Sequence, residues 1–415
     1  MKILMITPYV TINSRTEFTR NKTGFGYMVM DIAKAVGKLE QVDVLATDTR
    51  GESFDHDGVH FLSRSLMRYV SAIFSCLSLS VLIKLRKEYR MANASFIRLV
   101  YYWLMTGYLK EIIKKEKYDI VHIHGCSFAT ELWIQTCKRC EQKFVVTLHG
   151  LNSFSDTVRL EPAGEKYERD FLRRVTDGEI PITVISTGMK KLIEKTYNTP
   201  DCKNITVVCN SFSFDGLGGG KFDVRKFYQL NEDSVIILCV GNVCHRKNQG
   251  QLIKSFNRLP ENLIGKTYVL FLGGEIESGY SIKELAKGSK HENHFIACGV
   301  VDKELVSNYY EQGNAVALMS LSEGFGLSLI EGMHFGLPSM SFSDVDAFED
   351  IFDESAMIGV NEHTDEAVAK GLESLLTNNW NKERIKEYSR KFESENMAKN
   401  YVDVYKREIQ HTARC

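Results

Sequence analysis

Short apolar runs alternate with longer stretches of helical periodicity along almost the whole chain, and this alternation is the feature that most restricts the fold. KILMIT, VDVLAT, VHFL, DIVHIH, FVVTLH and ITVIS read as strands covered on both faces. Each is followed by Gly, Asn, Asp or Ser before helical periodicity resumes, the βαβ signature of a parallel sheet with helices on both sides. After a glycine-rich break a second series begins: VIILCVG, TYVLFLGG, HFIACG, AVALMS and PSMSF. The expected fold is therefore α/β, with two doubly wound domains at 1–209 and 224–389 and a linker at 210–223. The charged segment 390–415 is too polar to form a third core, so it is expected to pack back on the first domain as a helix.

With 415 residues, two domains of ordinary size account for the chain, and no disulfide scaffold is needed. The ten cysteines are scattered. The one close pair, Cys137 and Cys140, lies on an amphipathic helical pattern with no second pair to complete a zinc site. Free thiols fit a reducing cytoplasm. The opening MKILMITPYV reads as a buried strand rather than a signal peptide, because Thr7 and Pro8 end the run early and no small-residue cleavage site follows. The longest uncharged run, Tyr69 to Ile83, is short of the roughly 20 residues that span a bilayer and contains serines.

Lys and Arg total 52 against 53 for Asp and Glu, a formal charge of −1, so no global field draws the chain to nucleic acid or to an anionic membrane. The segment from Leu66 to Lys117 is different: ten Lys or Arg against three Glu, interleaved with Tyr69, Phe74, Phe96, Tyr101, Tyr102, Trp103 and Tyr108. One reading is surface helices with core-facing aromatics and solvated basic faces. The other is an interfacial element that meets anionic lipid or a lipid-linked acceptor. No nucleic-acid module surrounds it.

In open α/β sheets, ligands sit beyond the carboxyl ends of the strands. After the first strand a long loop reaches Gly24 and Gly26 just before a helix, a form that brings backbone close to a phosphate or sugar. Valine at 29 denies it the G-x-G-x-x-G spacing of a dinucleotide site. The strand VIILCVG leads to Asn242, then to Arg246 and Lys247 ahead of a helix whose dipole already repels cations. A bound phosphate or diphosphate would resolve that conflict, with Lys247 as a point charge and Arg246 as a fork. In LSEGFGLSLIEGMHFGLPSM the strand before Ser320 gives way to a tight turn at Gly324 and Gly326. A helix through Leu327, Ile330 and Met333 follows and stops at Gly336. Glu323 then stands in the loop and Glu331 inside the helix. Two carboxylates in that setting hold two hydroxyl-bearing ends of one ligand, while the helix N-terminus faces phosphate between them.

Glu323-Gly324-Phe325-Gly326-Leu327, followed by Glu331-Gly332-Met333 and Gly336-Leu337-Pro338, resembles the E-x7-E signature of retaining family 4 glycosyltransferases with the GT-B fold. VVTLHG, VISTGMKKLI, VGNVCHRKNQGQLI and CGVVDKELVSNYYEQGNAVALMS follow that family in the same order. The resemblance implies two facing Rossmann-like domains and a nucleoside-diphosphate sugar as donor, with no cofactor. By the same likeness Glu323, with the backbone at Phe325, Gly326 and Leu327, contacts the donor sugar and phosphate, and Glu331 binds the ribose. Lys247 neutralises the diphosphate. Asn242 stands where the family usually has an arginine, which moves that role to Arg246. His149 lies beside the transferred sugar, Gly24 and Gly26 form the N-terminal glycine loop, and Val300 borders the base.

The implied activity is transfer of a hexose-type sugar with retention to a hydroxyl of a glycan or lipid-linked acceptor, in surface polysaccharide synthesis. The enzyme is expected in the cytoplasm, at the inner membrane face if 66–117 meets lipid. Two D-x-D strings, Asp55-His56-Asp57 and Asp344-Val345-Asp346, raise metal-assisted chemistry. The first reads as a polar turn and the second falls inside an assigned GT-B pattern, so no metal is expected. A nucleotide-sugar 2-epimerase of similar architecture and a non-catalytic GT-B-like binding protein are the alternatives.

Overall fold

The computed structural model describes residues 1–19, 24–91, 95–154, 160–212 and 222–410. Most of the expected linker, 213–221, and the end of the tail, 411–415, lie outside them. The chain forms two compact units, one of Met1–Ile185, Met189–Cys209 and the terminal segment from Ser394, the other of Ser186–Gly188 and Asn210–Glu393.

The first unit holds an eight-stranded sheet. Its strands are β1 (Lys2–Thr7), β2 (Gln41–Ala46), β3 (Phe54–His56), β4 (Val59–Phe61), β5 (Ile120–His124), β6 (Phe144–Leu148), β7 (Ile182–Val184) and β8 (Ile205–Val207). Their order is β3-β4-β2-β1-β5-β6-β7-β8, parallel except for the β3–β4 pair. The second unit has a six-stranded parallel sheet of β9 (Val235–Val240), β10 (Thr267–Leu272), β11 (Phe295–Gly299), β12 (Ala315–Leu318), β13 (Ser339–Phe342) and β14 (Met357–Val360), in the order β11-β10-β9-β12-β13-β14. The central strands are buried on both faces, in keeping with their apolar-rich sequences, and β5 buries His122 and His124 as well. In each sheet the order reverses at one place, beside β1 and β5 in the first and beside β9 and β12 in the second. Loops leaving adjacent strands there turn to opposite faces of the sheet and open a crevice at their carboxyl ends.

Three strands, β3, β8 and β14, escape the sequence reading. β3 is a three-residue antiparallel edge piece with little burial, and β8 is a half-buried edge strand. β14 reads MIGV, and its glycine looks like a turn. In the fold Gly359 is there because a Cβ at that position would lie 2.5 Å from the Phe348 ring.

The tail helix Ser394–Gln410 packs on the helix Gly24–Gly37 and buries Tyr401 and Tyr405 in the first unit. The division between units falls at Glu393/Ser394, slightly beyond the expected 389/390 boundary, because Phe392 packs on Phe325 of the second unit. The basic aromatic segment divides in two. The helix Phe96–Glu116 turns Tyr102, Trp103 and Tyr108 inward, and Trp103 Nε1 donates to the Leu77 carbonyl at 2.9 Å. The described residues from Leu66 to Ile97 bury Tyr69, Leu77 and Leu85 but leave other apolar side chains outside. They carry nine of the fifteen exposed large hydrophobics among the described residues, with Phe74 fully exposed.

Candidate active site

The second unit gathers most of the expected residues where β9 and β12 end. β9 exits through Gly241, whose φ of +141° and missing side chain leave room for Lys247; a Cβ there would lie 3.2 Å from Lys247 Cε. Arg246 and Lys247 sit in a short 3-10 turn ahead of the helix Gln249–Phe256. From the end of β12, Glu323 folds back onto them. Its Oε2 is ion-paired with Lys247 Nζ, accepts from Ser320 Oγ at 3.2 Å and lies 3.7 Å from Arg246 Nη1. Arg246 Nη1 also donates to the Ser322 carbonyl at 2.8 Å, and Leu321 N donates to the Arg246 carbonyl at 2.9 Å, so the two loops are stitched together.

Burial alone would raise the Glu323 pKa. The charge and hydrogen bond of Lys247, then Arg246 and Ser320, more than offset it, so the group sits below the ordinary carboxylate range. Asp346, after β13, goes the other way: burial first, and the Glu323 charge second, push it up to about 6.

Gly326 caps the helix Leu327–His334 at φ +77°, a left-handed conformation that favours glycine, and no side chain caps that helix start. The first amides of an uncapped helix suit an anion. Phe325 turns its side chain away from the loop surface. Its ring is 3% exposed and packs edge-on against Phe392, so only its backbone is available to a ligand. Half-buried Leu327 follows in the first turn. Glu331, one helical turn on, accepts from Tyr310 OH at 2.8 Å. Asn242 and Val300 approach each other across Gly274, and both are exposed.

In the first unit, His149 follows β6 with its ring edge-on to Phe25, centroids 4.9 Å apart. Its Nε2 is 3.1 Å from Nδ1 of His124, the last residue of β5. Burial drives the His149 pKa down to about 4, so the imidazole is neutral. Gly24 and Gly26 do not precede the helix as expected but lie within its first turns. Gly26 is a packing residue: a Cβ there would lie 2.3 Å from Thr11 Oγ1. Among the described residues Gly24 has no atom within 4 Å of such a Cβ, and it is exposed.

Three of the four D-x-D aspartates are paired elsewhere, and the fourth is the Asp346 that feels the Glu323 charge. Asp55 pairs with His60 at 2.7 Å, Asp57 with Lys34 at 3.2 Å and Asp344 with His363 at 2.9 Å. Among the described residues no three His, Cys, Asp or Glu side chains form a metal-binding group. Sequence reasoning missed Tyr310 and His124, and it read Ser320 only as a strand end and Asp346 only as part of a D-x-D string. His124 carried a signal as the second histidine of the H-x-H pattern in DIVHIH.

Two Rossmann-like units, one presenting a carboxylate locked to two cations at its sheet reversal, define a GT-B transferase. Residues 221–392 match the family described as Glycosyl transferases group 1, and residues 23–214 match Glycosyltransferase Family 4. The chain belongs to this group 1 and family 4 class of glycosyltransferases, and it is a transferase enzyme. It is 24% identical to an uncharacterized glycosyltransferase of Methanocaldococcus jannaschii, over 71% of this chain and 77% of that protein. It is 22% identical to the O-antigen chain mannosyltransferase B of Escherichia coli, over 64% of this chain and 70% of that one. Sucrose-phosphate synthase from Thermosynechococcus elongatus shares the fold at a TM-score of 0.70, with 15% identity, 98% of this chain and 99% of that chain covered.

Proposed function

We propose that the protein transfers a hexose-type sugar, with retention, from a nucleoside-diphosphate sugar to a hydroxyl of a glycan or lipid-linked acceptor, in surface polysaccharide synthesis. The observation that carries this reading is Glu323 held between Lys247 and Arg246 at the sheet reversal. Without a diphosphate the two cations share one carboxylate. When the donor binds, Lys247 exchanges Glu323 for phosphate oxygens, and Glu323 turns to accept from the sugar hydroxyls. Glu331, steadied by Tyr310, takes the ribose, and Asn242 and Val300 border the base. The backbone at Phe325, Gly326 and Leu327 meets the sugar and phosphate, and His149, with the open face at Gly24, serves the transferred sugar.

In the reaction the bond from the anomeric carbon to the phosphate oxygen breaks, and the electron pair leaves with the nucleoside diphosphate. Arg246, Lys247 and the helix amides are aimed at the charge that develops there, which is electrostatic stabilisation of the leaving group. The acceptor oxygen attacks the same face, and its proton passes to the departing phosphate. The two basic side chains do the work a metal would otherwise do, which supports a metal-independent reaction. We also assign a cytoplasmic location at an anionic membrane surface, with the exposed apolar and basic stretch of the first unit as the contact. Charge complementarity favours that occupant, since Arg68, Lys84, Arg86 and Lys87 stand among Met67, Phe74 and Ile83.

The test is a donor screen read by released nucleoside diphosphate, with a mixed glycan and polyprenyl-linked acceptor pool. One donor is expected to turn over in EDTA, to give a product with the donor's anomeric configuration, and to lose at least about 100-fold in rate in Glu323→Ala. An unchanged rate in that variant, or an epimer formed from nucleotide sugar alone, overturns the reading.

A further inference from the structure

A chain of buried histidines stands behind His149. His122 and His124 both point from β5, are fully buried, and have ring centroids 4.0 Å apart. His122 is fixed at both nitrogens: Nε2 is 2.6 Å from Thr147 Oγ1, and Nδ1 is 2.7 Å from the hydroxyl of Tyr405 on the tail helix. Thr147 in turn meets Thr183 Oγ1 at 2.5 Å. The contacts at its two nitrogens orient the His122 ring, which packs beside the His124 ring. His124 places Nδ1 3.1 Å from His149 Nε2, while its own Nε2 is buried with no hydrogen-bond partner among the described residues. Among the described residues His149 makes its one hydrogen bond to His124, and the residue is half-buried.

One proton occupies the His124–His149 contact, and its position decides what His149 offers a ligand. Burial keeps all three imidazoles neutral, holding His122 at about 3, His149 at about 4 and His124 also well below its ordinary value. Each ring thus carries one N–H. If His149 Nε2–H donated, the single proton of His124 would sit on its buried Nε2 as an N–H with no acceptor. If His124 Nδ1–H donates, only a lone pair is left unpaired there. An orphaned buried N–H is the costlier and rarer of the two.

We propose that His124 is a positioning residue: by donating from Nδ1 it locks His149 in the Nδ1–H tautomer, so that His149 meets its ligand as a neutral hydrogen-bond donor and not as a base. An imidazole in this state donates to a sugar oxygen and has no free lone pair with which to take the acceptor's proton. The part about the ligand rests on the transfer reading above; the tautomer does not.

The experiment is nitrogen NMR of the full chain labelled with ¹⁵N-histidine, with the His149 signals assigned by their loss in His149→Gln. The expected result is a protonated Nδ1 and a lone-pair Nε2 in the wild type, moving toward Nε2–H in His124→Leu. His124→Asn, whose side-chain amide again presents an N–H, is expected to restore the Nδ1–H form. A wild-type His149 with Nε2–H overturns the proposal, whether or not any variant folds, and so does a His149 signature unchanged in a folded His124→Leu. Once a donor is known, His124→Leu should lower kcat by about 10–100-fold with KM changed much less, and Asn should recover most of it. Equal losses in Leu and Asn would also count against it. If no donor turns over, the transfer reading fails while the NMR result still stands by itself.

Discussion

Glu323 and Asp346 are two carboxyls at neighbouring strand ends that the fold drives in opposite directions. Glu323 is kept charged by Lys247, and its charge helps burial to hold Asp346 at about 6. An aspartate titrates near 3.9 when unfolded, so between about pH 4 and 6 the folded chain binds more protons than the unfolded one. Stability therefore falls as pH rises through that window, and the penalty persists above it. Asp346→Asn removes the penalty. Its expected effect is a gain of about 2–4 °C in Tm at pH 7.5 that disappears near pH 4, read by calorimetry on both proteins. An equal gain at both pH values would contradict the account, since it would not come from ionisation.

At the scale of elements, the strands flanking each sheet reversal were legible because they are short apolar-rich runs set off from helical periodicity. β3, β8 and β14 were not, because edge strands bury little and the glycine of β14 answers to Phe348, far from it in local pattern. The E-x7-E loop and the Arg246-Lys247 turn were readable for the same local reason: both are written in contiguous residues. The Lys247–Glu323 pair itself was not, since it joins loops 76 residues apart. The region from Leu66 to Lys117 is mixed: Phe96–Glu116 buries Tyr102, Trp103 and Tyr108, while the stretch up to Ile97 buries Tyr69, Leu77 and Leu85 but exposes Met67, Phe74 and Ile83. If that exposed stretch meets lipid, the chain should co-sediment with vesicles containing phosphatidylglycerol and far less with pure phosphatidylcholine, and added salt should weaken the contact. Phe74→Glu together with Met67→Glu should lower vesicle binding by about tenfold or more. Equal binding to neutral and anionic vesicles, or no loss in the double variant, would contradict it. Among the described residues no helix is long and apolar enough to cross a membrane.

Across the whole molecule, the division into two units and the return of the tail to the first follow from where apolar surface needs covering. The tail's Tyr401 and Tyr405 are buried against the His122 side of the first sheet, so a segment that looks merely polar in sequence completes a core and anchors a histidine. Its charged face hid an apolar stripe at helical spacing, Met397, Tyr401, Val404 and Tyr405. The central claim is that the second unit binds a nucleoside diphosphate through Lys247 and Arg246 without a metal. Calorimetric titration of the full chain in EDTA with UDP, GDP, ADP, CDP and dTDP tests it most directly. One diphosphate should bind saturably, and Lys247→Ala should weaken it by about 10–100-fold. Failure of all five to bind in EDTA, or wild-type affinity in Lys247→Ala, would contradict the account.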